Sequence, residues 1–320
     1  MKKDKVLIIK TGYSEILDDR NNSRRVSFGD VLRATALLNL YKNDEVTWVA
    51  DITAFPLLEP NSLIHKLLPY DFTTVLQLES EEFDKVINLE KVPGICALSD
   101  KIRARRSRYG FTFNSQTGNA EAYNGAFDVL AVGADPVLKK RNSRTVLDLL
   151  FEMVGEKWNG EEYVLGYKPK TCEVYDVALN TQVGKKWPTK AWPIENWNRL
   201  EEMLAKDGLR VTMQHNQQED VLSDMYRYMD WINSAKTIVS NDSLGLHIGI
   251  ALKKQVYGLF GPTPDKELYF YGRGKSILPD NCPECLPCFL PKCHEKILCI
   301  NLITPEKVYD EIKKTSATTH

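Results

Sequence analysis

Three nucleotide-handling signatures are missing from the 320-residue sequence. No Gly-x-Gly-x-x-Gly follows a predicted strand, which removes the fingerprint of a dehydrogenase, and no Gly-x-x-x-x-Gly-Lys-Ser/Thr is present, which removes the P-loop of a simple kinase. The chain also lacks Asp-x-Asp, the arrangement that holds a divalent ion against a diphosphate. Any diphosphate would therefore be neutralised by lysine, arginine and backbone donors, with no catalytic divalent metal expected. Charge of one sign is missing too: 42 Lys and Arg against 43 Asp and Glu leave a net charge of -1, which argues against general nucleic-acid binding. The first apolar run, Val6 to Ile9, is far too short for a signal-peptide core or a membrane span. A cytoplasmic protein is expected, with no transmembrane segment and at most peripheral contact with a membrane.

What is present is an ordinary globular composition, 43% hydrophobic and 27% charged, on a chain long enough for two domains at ~150 residues each. The pattern alternates strands and helices. Val6–Lys10, Val46–Ala50, Thr74–Gln77 and Lys85–Asn88 are predicted strands, and an amphipathic helix begins at Phe28. The polar stretch 13–27, with Arg20, Arg24 and Arg25, reads as a mobile insertion able to close over substrate. Residues 101–108 are locally basic, a solvated helix face or part of an acceptor site for anionic glycans. A helical pattern over 146–153 is followed by a Gly- and Pro-containing connection at 155–170. The second half repeats the programme, with strands at Val174–Leu179, Leu209–Met213, Thr237–Ser240 and Gln255–Phe260, and helices at Ile194–Leu204, Asp220–Met229 and Ser243–Leu252. The predicted fold class is thus α/β, two Rossmann-like domains facing across a cleft, divided as 1–160 and 161–320.

In such sheets, ligands bind beyond the carboxyl ends of the strands, where helix N-termini offer unpaired N–H groups to anions. Lys10-Thr11-Gly12, Asn180-Thr181, Asn241-Asp242-Ser243 and Gly261-Pro262-Thr263 all fall at predicted strand ends. A phosphate-bearing ligand is expected there.

Five runs of residues together carry a resemblance. Lys10-Thr11-Gly12, the run 27–35 (SFGDVLRAT), the run 187–197 (WPTKAWPIENW), the run 240–247 (SNDSLGLH) and the run 259–263 (LFGPT) are similar, in order, to the motifs of glycosyltransferase family 9, the heptosyltransferases of lipopolysaccharide and cell-surface glycan assembly. The resemblance spans residues 5 to 312. It implies a GT-B fold with an N-terminal acceptor domain and a C-terminal donor domain. It also implies an ADP-heptose-type donor and displacement with inversion onto a lipid-linked, glycan or protein acceptor. The chain departs from the family pattern in its 13–27 stretch and in Asp242-Ser243-Leu244-Gly245, where the glycine stands one place later than in the usual Asp-Thr-Gly run.

Roles follow from that resemblance, each with a plainer alternative. Asp30 is the candidate base for the acceptor hydroxyl; the alternative is an N-cap of a helix starting at Val31. Lys190, with Thr189 and the Lys185-Lys186 pair beside it, is placed to offset charge on the departing diphosphate, or else is a solvated lysine. Asn241, Asp242, Ser243, Gly245, Gly261 and Thr263 are expected in the donor pocket, with Lys10 and Thr11 facing the cleft. His247 is either a ligand contact or a buried structural histidine. Five of seven cysteines fall between Cys282 and Cys299, and the last four, Cys285, Cys288, Cys293 and Cys299, match a cysteine pattern of the family. Related autotransporter heptosyltransferases carry iron in a comparable finger. Four thiolates suit structural zinc or iron, a staple with no open position; reduced thiols or a local disulfide are the alternative. Two other readings remain open at this stage, a nucleotide-sugar epimerase or hydrolase and a non-catalytic metal-stapled scaffold. Oligomeric state is not legible.

Overall fold

Strands covered by helices on both faces have no solvent side, so they read as short unbroken runs of Val, Ile and Leu and pair in parallel. The computed structural model describes residues 3–13, 26–184, 187–214, 224–281 and 284–317. By its contacts the chain divides into two compact units, Met1–Lys168 and Pro169–His320.

The first unit runs β1 (Lys5–Ile9), α1 (Phe28–Ala34), β2 (Glu45–Ala50), α2 (Phe55–Leu58), β3 (Lys66–Pro69), α3 (Phe72–Ser80), β4 (Glu82–Asn88), α4 (Pro93–Lys101), β5 (Arg103–Phe113), β6 (Ala120–Ala122), α5 (Phe127–Ala134), α6 (Pro136–Arg141) and α7 (Val146–Met153). Its sheet has the order β3-β2-β1-β4-β5-β6, parallel except for the β5–β6 pair. Leu7 and Ile9 of β1 pack with Val49, Phe83, Val86, Ile95 and Leu98 in a buried core. The second unit runs β7 (Tyr175–Asn180), α8 (Ile194–Lys206), β8 (Val211–Met213), α9 (Met225–Asn233), β9 (Ala235–Asn241), α10 (Leu244–Ala251), β10 (Gln255–Leu259), β11 (Gly274–Ile277) and α11 (Pro305–Ala317). Its parallel sheet has the order β11-β10-β9-β7-β8. Helix α8 buries Trp197, Leu200 and Leu204, one face at helical spacing, against β7, β9 and α11 residues.

Two expectations are corrected. Thr74–Gln77 is not a strand but the middle of α3, because the Asp71 carboxylate accepts from the Thr74 N–H at 2.8 Å and starts a helix. The missing strand is β3, an edge strand ending at Pro69, where the absent N–H costs no ladder bond. The basic run at 101–108 is not a helix face, since most of it lies in β5. Arg105 pairs with Glu82 at 2.6 Å, Arg106 with Asp4 at 2.7 Å, and Arg108 donates to the carbonyls of Ser99 and Ile102. The stretch 14–25, including Arg20, Arg24 and Arg25, lies outside the described residues, as do Lys185, Lys186 and Cys282.

Candidate active site

In each sheet the strand order reverses between two neighbours, β1 and β4 in the first unit and β7 and β9 in the second. Such a reversal opens a crevice at the carboxyl ends, because the connections leave in opposite directions. Most of the polar residues singled out from the sequence stand at these two points.

In the first unit, Lys10 follows β1, and its ammonium lies 3.3 Å from Glu90, with 6% and 0% of the two side chains exposed. The same Glu90 oxygen accepts the Gly12 N–H at 2.7 Å. Gly12 has φ +93°, a left-handed conformation that side chains resist, and a Cβ there would come within 2.6 Å of Val26. Thr11 is fully buried, and its hydroxyl accepts from the Tyr13 N–H at 3.3 Å. Lys91 follows Glu90 and donates to the Val129 carbonyl at 3.4 Å. Burial and the nearby charges of Lys10 and Lys139 push the Lys91 ammonium below its ordinary value, against the pull of Asp30 and Glu90.

Asp30 is the third residue of α1, so it does not cap that helix; Ser27 holds the N-cap position. The Asp30 carboxylate pairs with Arg33, three residues on, and keeps 16% of its side-chain surface open. Burial works against its charge, but the charges of Arg33 and Lys10 and the hydrogen bonds from Ser27 and Arg33 outweigh that and hold the carboxyl well below the usual carboxylate range. Burial also pushes the phenol of Tyr163 up, with Arg33 and Asp30 both in its field.

In the second unit, Lys190 closes the short turn Pro188–Lys190, and its ammonium donates to Asp242 at 2.6 Å while lying 5.4 Å from the centre of the Trp187 ring. The Thr263 hydroxyl donates to the same Asp242 oxygen at 2.7 Å. Burial alone would raise the Asp242 carboxyl, but Lys190, the His247 ring and the hydrogen bonds from Lys190 and Thr263 bring it down to about 2. Lys190, Asp242, His247 and Thr263 are thus gathered in one cluster at the end of β9 and the start of α10. Ser243 is the N-cap of α10, yet its hydroxyl caps no helix N–H; it accepts from Asn180 Nδ2 at 2.9 Å. The first turn of α10 therefore presents N–H groups in the way that suits a phosphate.

Other expected donor residues do structural work. Asn241 accepts the Trp192 N–H at 3.2 Å and donates to the Thr181 carbonyl at 2.8 Å, tying two loops to β9. Gly245 admits a close approach: a Cβ there would meet the Tyr228 hydroxyl and come within 2.6 Å of Asn180. Thr189 donates to the Leu290 carbonyl at 2.9 Å, and a Cβ on Gly261 would lie 2.8 Å from the Cys299 sulfur. Both residues brace the cysteine-rich segment against the site loops.

The structure does not support the expected metal centre. Among the described residues, no group of three or more His, Cys, Asp or Glu side chains could hold a metal ion. Cys285 is exposed, Cys288 and Cys293 are half-buried, and Cys299 is buried beside Gly261. Burial, then the neighbouring thiols beginning with Cys288, pushes the Cys299 thiol up to about 11.

The sequence reading missed Glu90, Lys91, Asn180 as a hub, Tyr163 and Tyr228. Glu90 and Lys91 directly follow β4, so the strand-end rule that selected Lys10 applies to them too. Tyr228, from the middle of α9, donates to Asn180 at 2.7 Å and has no local signal.

Residues 177–298 match the sequence model of glycosyltransferase family 9 (heptosyltransferase). No curated protein matches the chain. Among solved structures, it is similar to a family 9 glycosyltransferase from Veillonella parvula, at 14% identity and a TM-score of 0.66 over 98% of this chain and 97% of that one. It is also similar to the E. coli heptosyltransferase WaaC with ADP, at 15% identity and a TM-score of 0.61 over 98% of each chain. A third is the iron-containing dodecameric glycosyltransferase TibC from enterotoxigenic E. coli, at 13% identity and a TM-score of 0.58 over 99% of this chain and 77% of that one. At these identities the solved structures establish the fold, the GT-B arrangement of two parallel-sheet domains. The family match covers residues 177–298, so the second unit resembles the heptosyltransferases of glycosyltransferase family 9.

Proposed function

We propose that the protein is an inverting glycosyltransferase that moves a heptose or related sugar from an ADP-sugar to a hydroxyl of a lipopolysaccharide core, another cell-surface glycan or a protein. The observation that carries this reading is the Lys190–Asp242–Thr263 cluster at the first turn of α10, inside or beside the matched family region. An ammonium has three protons, and Asp242 takes one, so Lys190 is held in place with donors left for a phosphate oxygen. The ADP bound by WaaC supports the same diphosphate here.

In the proposed step the acceptor oxygen bonds to the anomeric carbon as the bond from that carbon to the phosphate oxygen breaks. Asp30, ionised at neutral pH, takes the hydroxyl proton, and Lys190 offsets the charge that grows on the leaving ADP. Purified protein given ADP-heptose and candidate acceptors in EDTA should release ADP. Asp30→Ala should lower that rate by about 10²-fold or more, the usual worth of a general base. Lys190→Ala should lower kcat more than it raises KM, since its interaction strengthens as the bond breaks. Undiminished activity in Asp30→Ala would overturn the assigned base, and full-rate turnover of donor with no acceptor would favour a hydrolase.

A further inference from the structure

Helix α1 sets a carboxylate and a cation one turn apart. Arg33 donates to Asp30 Oδ1, and the two side chains are only 19% and 16% exposed, unlike the solvated i,i+3 pairs of a helix surface. More buried still is the Lys10–Glu90 pair at the ends of β1 and β4, whose carboxylate oxygen is also fixed by the Gly12 N–H. The charges of Arg33 and, less strongly, of Lys10 reach Asp30. The groups facing Asp30 are Ser27 and Arg33 beside it on the chain, Lys10 from the end of β1, Lys91 from the end of β4 and Tyr163 from the stretch after α7. Glu90 in turn faces Lys10 and Lys91.

We infer that Arg33 and the Lys10–Glu90 pair are positioning residues for the Asp30 base: Arg33 aims the carboxylate and, with Lys10, keeps it charged, while Glu90 holds Lys10 in place. The inference rests on the transfer reading above, in which Asp30 takes the acceptor's proton. With little water around the carboxylate, burial alone favours its protonated form, which is no base. Two cations reverse that preference. They also weaken the base, and Glu90 limits this by balancing the charge of Lys10, so that Arg33 contributes the larger share. An ionised carboxylate accepts about four hydrogen bonds, so those from Arg33 and Ser27 leave lone pairs for an acceptor hydroxyl. Stabilising α1 would need Arg33 alone. It gives no reason to bury Lys10 and Glu90 close by, because a buried pair gains little stability over apolar packing.

The test follows the Asp30 carboxyl itself, by carbon NMR of the full-length protein labelled at its aspartate carboxyls, with Asp30→Asn supplying the assignment. In the wild type Asp30 should stay ionised to the lowest pH at which the protein is folded. Arg33→Met should raise its titration midpoint by about 1–3 pH units, the effect of one adjacent cation, and so bring it into the folded range. Lys10→Met with Glu90→Gln, a neutral pair that can still accept the Gly12 N–H, should raise it less. That variant leaves no unpaired buried charge, so it gives the reading should Arg33→Met fail to fold. Arg33→Lys should hold the midpoint near that of the wild type. In acceptor-dependent ADP release at mildly alkaline pH, where Asp30 is ionised in every variant, Arg33→Met should lower kcat about tenfold or more with KM little changed, since a loosened carboxylate is out of line with the hydroxyl. Arg33→Lys should recover part of that loss. An Asp30 that titrates in the ordinary carboxylate range in the wild type, or that does not move in Arg33→Met and the neutral pair, would overturn the inference. So would wild-type kcat in Arg33→Met, which would leave Arg33 a purely structural role. The expected titrations in a protein that shows no acceptor-dependent ADP release would instead support the charge arrangement and count against the transfer reading.

Discussion

Asp242 shows how one buried carboxylate can be both a structural and a chemical element. Its charge is costly in a buried position and persists because Lys190 and Thr263 supply two hydrogen bonds to one oxygen. A folded value of about 2, below the ordinary 3.8, means that the folded state holds its proton less tightly than the unfolded chain does. The stability so gained is complete above about pH 4, fades as pH falls, and is gone once pH passes below about 2. Urea unfolding should therefore find Asp242→Asn less stable than wild type by about 2 kcal/mol at pH 7. The difference should shrink by pH 3, and one that is constant with pH would contradict this account of the cluster. Lys10 and Glu90 make a comparable buried pair in the first unit, where the Gly12 N–H supplies the second bond to the carboxylate.

At the level of elements, α10 is set by its neighbours more than by its own sequence. Asn180, at the end of β7, donates to Ser240 at 2.8 Å and to Ser243 at 2.9 Å, and accepts from Tyr228 of α9 at 2.7 Å. Gly245 leaves the space that Tyr228 and Asn180 fill. Gly245→Ala should destabilise the protein by about 1–3 kcal/mol through overpacking and weaken ADP binding by displacing the first turn of α10. Tyr228→Phe, which deletes the hydroxyl in the way, should recover part of that loss in the double variant, so that the two changes are not additive in a thermal-unfolding cycle. Strict additivity would mean that the contact does not exist. The elements most legible in the sequence were those with one dominant signal, such as β1 from its unbroken Val6–Ile9 run and α8 from Pro193 and the Trp197, Leu200, Leu204 spacing. The strand β3 was hidden because its Lys66–Pro69 run is half-buried and ends in proline. Asp71, a cap, made a helix of the strand-like segment beyond it. The four cysteines repeat a ligand spacing, and the structure places Cys299 buried beside Gly261.

For the molecule as a whole, two sheets of different strand order each place polar residues at the reversal point, and strand ends are where sequence reading found Lys10, Thr11, Asn241 and Asp242. Side chains brought in from helices, such as Tyr228 onto Asn180, and from the interdomain stretch, such as Tyr163 near Asp30, depend on tertiary packing and left no mark along the chain. The central claim is that the donor diphosphate is held in the second unit by the loops at the ends of β7, β9 and β10. Hydrogen exchange of the full-length protein with and without ADP tests it most directly. Protection should rise in residues 180–181, 188–190, 241–247 and 261–263, and this rise should weaken in Lys190→Ala. Protection confined to the first unit, or none in these four segments at saturating ADP, would contradict it.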